Sequence, residues 1–172
     1  MTTANKITLF RVVLIPVFLV LAYRGHMVWA FAVFVLASLS DMLDGYVARH
    51  YNQITNFGKF MDPLADKMLV LSAMCFLVEK GQMPGWVVAV VLFREFAVSG
   101  LRLVAAERQR VIAAAWSGKV KTTCTMVGLC FVLVFTQFEW LNMLVSALIL
   151  ITTIYSGVEY FMKNKDVFKD AD

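Results

Sequence analysis

Residues 41–66 read DMLDGYVARHYNQITNFGKFMDPLAD, and this stretch carries the strongest structural signal in the chain. A helix places Asp41 and Asp44 on one face, and it places Asp62 and Asp66 on one face of a second helix, because residues three or four apart are neighbours on a helix surface. A short reversing segment makes the two helices antiparallel neighbours. The sequence therefore predicts a helical hairpin on which four carboxylates converge.

The chain around this hairpin has the composition of a membrane protein. Of its 172 residues, 60% are hydrophobic and 16% are charged, whereas soluble domains average about 25% charged residues. A spanning helix takes roughly 20 apolar residues, so there is room for about six spans and little else. The net charge of +4 is small, and the basic face that a nucleic-acid binder needs is missing.

We therefore predict an all-α membrane protein of about six transmembrane helices, with residues 1–172 forming a single membrane domain. Short polar breaks separate the apolar runs. The expected spans are Ile7–Tyr23, Val28–Arg49, Phe60–Val78, Trp86–Val104, Thr122–Phe138 and Leu141–Tyr160.

Basic residues predict the orientation of these spans. In a six-span arrangement, thirteen of the 16 Lys and Arg residues fall on the side of the N-terminus. Arg24 and Lys80 fall on the other side, and Arg94 lies within a span. Because cytoplasmic segments are enriched in Lys and Arg, we expect a protein of the cytoplasmic (inner) membrane with both termini and the acidic hairpin at the cytoplasmic side.

The four acids need compensation, because a carboxylate at membrane depth is costly unless it is paired or hydrated. Mg²⁺ and Mn²⁺ prefer oxygen ligands, so Asp41, Asp44, Asp62 and Asp66 are candidate ligands of two divalent cations. Two such ions can hold a phosphate and neutralise a leaving group. Helix capping or exposed interfacial charge would explain one Asp better than four at two helical spacings.

The pattern D-x-x-D-G-x-x-A-R-x(8)-G-x-x-x-D-x-x-x-D runs from Asp41 to Asp66 with every fixed position present, and it resembles the signature of the CDP-alcohol phosphotransferase family. Residues 5–11 and Pro16 are similar to the family's N-terminal N-x-x-T-x-x-R segment, although Ala4 stands where relatives often carry Pro. The resemblance covers nearly the whole chain.

This resemblance implies a six-helix membrane fold, commonly a homodimer, with a polar cavity open to the cytoplasm. It implies that the four aspartates bind two divalent metal ions, and that Asp66 is also the general base. The fixed motif positions offer no Ser, Cys or His as a nucleophile, so direct in-line attack by an acceptor hydroxyl is the simplest chemistry. The residues implied for the CDP site are Asn5, Thr8, Gly45, Ala48, Arg49 and Gly58. The small residues among them also suit close helix packing, and the two interpretations are compatible.

Residues 94–102 and 118–122 resemble the branch of the family that joins CDP-diacylglycerol to sn-glycerol 3-phosphate and releases CMP. A phosphorylated acceptor needs fixed cations. The candidates are Arg94, Arg102, Arg110 and Lys119. Two alternatives stay open. In the first, these cations set the membrane orientation and contact anionic lipid headgroups. In the second, Arg94 and Glu95 form a buried ion pair with each other. Phosphatidylglycerol, inositol phosphate and serine are the other acceptors to consider.

Two other classes of membrane protein also use several acidic residues within the membrane. An intramembrane prenyltransferase also uses Asp-rich motifs with Mg²⁺, but it needs more helices and lacks the D-G-x-x-A-R continuation. A divalent-cation carrier could use four acids, but the paired discontinuous helices typical of carriers are not apparent.

Overall fold

The computed structural model describes residues 3–50, 56–107, 109, 112–113, 115–135 and 137–166. Within these ranges the side chains of residues 3–4, 41–50, 56–60 and 62 are not described. The elements are, in chain order, α1 (Thr3–Tyr23), α2 (Met27–His50), α3 (Asn56–Glu79), α4 (Gly85–Glu107), α5 (Trp116–Val134) and α6 (Glu139–Lys163). No β-strand occurs in the described part of the chain.

All six helices coincide with predicted apolar runs, and the largest difference is at α5. This helix begins at Trp116, six residues before the predicted Thr122, and ends at Val134 rather than Phe138. The polar segment around Lys119 and Lys121 lies before the predicted span, but it forms the first turns of the helix. The helix ends where the N–H of Phe135 bonds the carbonyl oxygen of Phe131 at 2.8 Å.

The helices form one packed bundle around an apolar interior. α1 packs against α2 and α3, α6 packs against α4 and α5, and α2 contacts α5. The Phe18 and Phe34 rings lie 5.7 Å apart between α1 and α2, and both side chains are fully buried. α3 continues through Pro63 without a break.

The outer surface is also apolar, which identifies an all-α membrane protein. Large side chains such as Val28 (80% exposed) and Phe93 (77% exposed) face outward, where lipid is a better solvent for them than water. Among the described residues, Asn5–Tyr23, Trp116–Val134 and Glu139–Lys163 are long and apolar enough to cross a membrane, and Met27–Ser40 is a shorter apolar helix. Charged residues interrupt the apolar runs of α3 and α4.

Candidate active site

The backbone places the four predicted metal ligands on two neighbouring helices. Asp41 and Asp44 lie in the last turns of α2, Asp62 and Asp66 lie in α3, and the two helices are in contact. The described side chains contain no group of three or more Asp, Glu, His or Cys residues that could hold a metal ion. Three of the four predicted ligands, Asp41, Asp44 and Asp62, have side chains outside the described part of the structure.

Other predicted residues also lie outside the described side chains, so their roles stay predictions. In the α2–α3 hairpin these residues are Asp41, Asp44, Gly45, Ala48, Arg49, Gly58 and Asp62, and beyond α4 the residue is Arg110.

Asp66, whose side chain is described and partly buried, lies in the wall of a cavity of about 1170 Å³. We call this space the main cavity. Side chains from α2 to α6 line it, including Ser38 of α2, Asp66 of α3 and Tyr160 of α6. The predicted base therefore faces a space large enough for a substrate.

Three of the four predicted acceptor-phosphate residues line the same cavity. Arg94 and Arg102 reach it from α4, and Lys119 reaches it from the first turn of α5. The Nε of Arg102 donates to the Tyr160 hydroxyl at 2.9 Å, and its guanidinium lies 5.4 Å from the centroid of the same ring. Tyr160 thus orients Arg102 by a hydrogen bond and by a cation–π contact.

Glu95 is the centre of a group of charges inside the bundle. Its Oε1 lies 2.6 Å from the Nζ of Lys121 and 3.1 Å from Nη1 of Arg94, and its Oε2 lies 3.7 Å from the Nζ of Lys67. Lys67 also donates to the Ser99 hydroxyl. Arg94 and Glu95 therefore do pair with each other, and both also line the main cavity. The acceptor-binding role of Arg94 stays a prediction.

Two glycines lie next to the Arg94 side chain. A Cβ atom on Gly118 would lie 3.5 Å from Nη2 of Arg94, and a Cβ atom on Gly157 would lie 3.3 Å from its Cγ. The second distance is tighter than a normal carbon–carbon contact. Gly157 on α6 therefore allows the long Arg94 side chain to pack closely against that helix, whereas a Cβ atom on Gly118 would make an ordinary contact.

Polar residues on α1 are buried close to the carboxylate hairpin. Asn5, Thr8 and Arg11 are 7%, 1% and 0% exposed. The Nε of Arg11 donates to the hydroxyl of Ser40, the residue before Asp41, at 3.3 Å. Arg11 is one of the thirteen basic residues that the predicted orientation places at the cytoplasmic side. Its complete burial shows that it is an internal residue, because only contacts within the protein can offset the cost of burying a charge.

An apolar groove adjoins the main cavity between α2 and α5. It has a volume of about 330 Å³, and Phe31, Cys130 and Phe135 are among its lining residues. Ser38, Leu39, Met126 and Val127 line both the groove and the main cavity. We call it the α2–α5 groove. A polar cavity that continues into an apolar groove suits an amphiphilic molecule.

The sequence profile of the CDP-alcohol phosphatidyltransferases matches residues 1–155. The chain belongs to the CDP-alcohol phosphatidyltransferase family. The family resemblance seen in the sequence is therefore confirmed, and the main cavity is the candidate active site of a CDP-alcohol phosphatidyltransferase.

Curated members of this CDP-alcohol phosphatidyltransferase family match over nearly the whole chain. The CDP-diacylglycerol–glycerol-3-phosphate 3-phosphatidyltransferase of Bacillus subtilis (strain 168) is 40% identical, over 98% of this chain and 97% of its own. The enzyme of the same name from Escherichia coli (strain K12) is 38% identical over 90% of both chains. A probable phosphatidylglycerophosphate synthase of Mycobacterium tuberculosis (strain CDC 1551 / Oshkosh) is 39% identical, over 91% of this chain and 78% of its own.

Lys67, Ser99 and Tyr160 line the cavity of this CDP-alcohol phosphatidyltransferase but were not predicted as site residues. Lys121, in contact with Glu95, lies in the stretch 118–122 that carries the family resemblance, but it was not predicted as a site residue either. The sequence feature that could have indicated these residues is a set of charged residues inside apolar runs. Such residues usually face a cavity or pair with one another. The sequence could not show which of those charges meet.

Proposed function

We propose that this enzyme transfers the phosphatidyl group of CDP-diacylglycerol to sn-glycerol 3-phosphate, forming phosphatidylglycerol phosphate and CMP. The observation that carries the proposal is the lining of the main cavity. Asp66 lines this cavity together with Arg94, Arg102 and Lys119. The names of relatives that match over 90% or more of both chains support the same reaction.

The donor is an amphiphile, and the site has both kinds of surface that it needs. The cytidine and diphosphate would lie in the main cavity, near the predicted CDP residues. An acyl chain would lie in the α2–α5 groove, which shares four lining residues with that cavity. Burying a chain there would stabilise the complex by about 0.8 kcal/mol per CH₂ group removed from water, and by less when the chain leaves a bilayer.

Two divalent cations, Mg²⁺ or Mn²⁺, would be held by Asp41, Asp44, Asp62 and Asp66. The fit rests on the donor chemistry and on Asp66, whose partly buried carboxylate lines the cavity wall. The bound ions would supply charge neutralisation for the diphosphate and for the departing CMP.

The protein's own residues would handle the acceptor. Arg94, Arg102 and Lys119, with Arg110, would hold the acceptor phosphate by charge-assisted hydrogen bonds. A carboxylate oxygen of Asp66 would take the proton of the attacking hydroxyl. The acceptor oxygen bonds to the phosphorus of the phosphatidyl group as the bond from that phosphorus to the CMP oxygen breaks, and CMP leaves with the electron pair.

We further propose six spans, both termini in the cytoplasm and a main cavity that opens to the cytoplasm. The distribution of Lys and Arg supports this orientation. The soluble acceptor and CMP would then exchange directly with the cytoplasm. We also propose that residues 1–172 act as one domain and that the enzyme is a homodimer, as the family resemblance implies.

The test is an acceptor comparison with purified enzyme and CDP-diacylglycerol. Release of CMP should depend on sn-glycerol 3-phosphate, and the lipid product should carry a phosphomonoester. Glycerol, inositol phosphate, serine and phosphatidylglycerol should support little release at equal concentration. Faster CMP release with any of these four would show that sn-glycerol 3-phosphate is not the preferred acceptor. Absence of CMP release with every acceptor would refute the proposed reaction.

A further inference from the structure

The charges around Glu95 form a layered arrangement, of which only Arg94 belongs to the predicted site. Lys121 is the innermost member, since its side chain is 5% exposed, and it pairs with Glu95 at 2.6 Å. Arg94 and Lys67 lie further out, with side chains 13% and 30% exposed, and both line the main cavity. Glu95 therefore joins one buried cation to two that face the substrate space.

The contacts come from three helices and link side chains of α3 and α5 to Glu95 on α4. Glu95 and Ser99 are one turn apart on α4, and both contact the ammonium group of Lys67 on α3. Lys121 reaches the same carboxylate from α5. These contacts restrain the long Lys67 side chain, which would otherwise have many rotamers.

The group has fewer negative than positive charges. Among the described side chains, one carboxylate contacts Lys67, Arg94 and Lys121, so this group of four side chains carries a net charge of +2. A surplus of cations in a membrane domain is costly unless an anion enters. A phosphorylated acceptor bound in the main cavity would be such an anion.

We propose that Glu95 is a positioning residue for acceptor binding, and that Lys67 is a further acceptor-phosphate residue held in place by Glu95 and Ser99. The inference rests on the proposed function. Lys67 follows Asp66 directly on α3, so a phosphate held by Lys67 and Arg94 stays at a constrained distance from the proposed base. Lys121 neutralises Glu95 from behind, which lets the carboxylate orient two cations without repelling the phosphate.

The experiment measures KM and kcat for both substrates in Glu95→Gln, with Glu159→Gln as the matched control. Glu159 is also paired with a lysine, Lys163 on the same helix, and it does not line the main cavity. Glu95→Gln should raise the KM for sn-glycerol 3-phosphate at least tenfold and change the KM for CDP-diacylglycerol less than twofold. The fold decrease in kcat should be smaller than the fold decrease in kcat/KM for sn-glycerol 3-phosphate. Glu95→Asp should recover part of the acceptor affinity, whereas Glu159→Gln should behave as wild type.

Ser99→Ala is the second variant, because Glu95→Gln could destabilise the bundle by stranding Lys121. It removes one contact of Lys67 and leaves all four charges in place, so it should raise the acceptor KM about threefold to tenfold without lowering the thermal unfolding midpoint. Binding gives an independent readout: sn-glycerol 3-phosphate should raise the unfolding midpoint of the wild type more than that of Ser99→Ala.

Each outcome separates the two proposals. A wild-type enzyme that ignores sn-glycerol 3-phosphate refutes the proposed function and this inference with it. A wild-type enzyme that uses it, with an unchanged acceptor KM in Ser99→Ala and in any folded Glu95→Gln, refutes this inference alone. Equal increases in KM for both substrates would show a structural role for Glu95 and would overturn the positioning role.

Discussion

Substitution of Gly128 tests a close contact between α5 and α6. A Cβ atom added there would lie 2.8 Å from Cγ1 of Val145, which is 4% exposed, and 3.9 Å from Cδ1 of Ile149. Carbon atoms in contact prefer about 3.5–4.0 Å. Either Val145 must leave its rotamer or the two helices must separate, and overpacking of this kind costs about 1–3 kcal/mol.

The same substitution also changes helix propensity, so the two effects must be separated. Gly to Ala in a helix interior gains about 1 kcal/mol. Gly128→Ala should therefore be destabilising by about 0–2 kcal/mol in total. Gly100→Ala on α4 is the control, because a Cβ atom there meets nothing within 4 Å, and it should stabilise by the propensity gain alone.

A double-mutant cycle with Val145→Ala isolates the contact. Val145→Ala alone leaves a cavity and lowers stability. Combined with Gly128→Ala, the new methyl group occupies part of that cavity, so the pair should be about 1–3 kcal/mol more stable than the two single effects predict.

The assay is thermal unfolding in detergent with a thiol-reactive fluorophore. Cys124 and Cys130 on α5 are partly buried and should react on unfolding, whereas Cys75 is exposed and sets the starting signal. Equal shifts of the unfolding midpoint in Gly128→Ala and Gly100→Ala, together with additivity in the cycle, would refute the close packing of α5 on α6.

Four further predictions concern the site. Asp66→Asn should lower kcat roughly a hundredfold or more, because several kcal/mol of transition-state stabilisation are lost, and EDTA should stop the wild type until Mg²⁺ or Mn²⁺ is returned; full turnover in metal-free buffer would contradict this. Arg102→Met should raise the KM for sn-glycerol 3-phosphate about tenfold to a hundredfold, and an unchanged value would leave Arg102 a topological role. Cys130→Trp should fill the α2–α5 groove and raise the KM for long-chain CDP-diacylglycerol more than that for a short-chain analogue, with equal effects counting against an acyl site there. Single cysteines at Asn52 and Gln82 in a cysteine-free background should label from opposite sides of the membrane, and labelling from one side would rule out six spans.

The helices and the family could be predicted from the sequence, because both depend on spacing along the chain. In a membrane every backbone group must be bonded within the protein, so apolar runs of this length form helices. The spacing of Asp62 and Asp66 on one helix is likewise a local property. The prediction was weakest at the start of α5, where Lys119 and Lys121 look like loop residues but belong to the helix.

The tertiary structure decided which polar residues meet. Lys121 and Glu95 are 26 residues apart, Lys67 and Ser99 are 32 apart, and Arg102 and Tyr160 are 58 apart. Spacing along one helix says nothing about such pairs, because they depend on the rotation and approach of separate helices. That approach is set by small residues and polar contacts at the interfaces, since lipid gives apolar helix faces no preference for one partner over another. The sequence alone therefore determined a helical membrane enzyme of this family with four aspartates on two successive helices, whereas packing placed Lys67 beside Glu95 in the main cavity and buried Arg11 against Ser40.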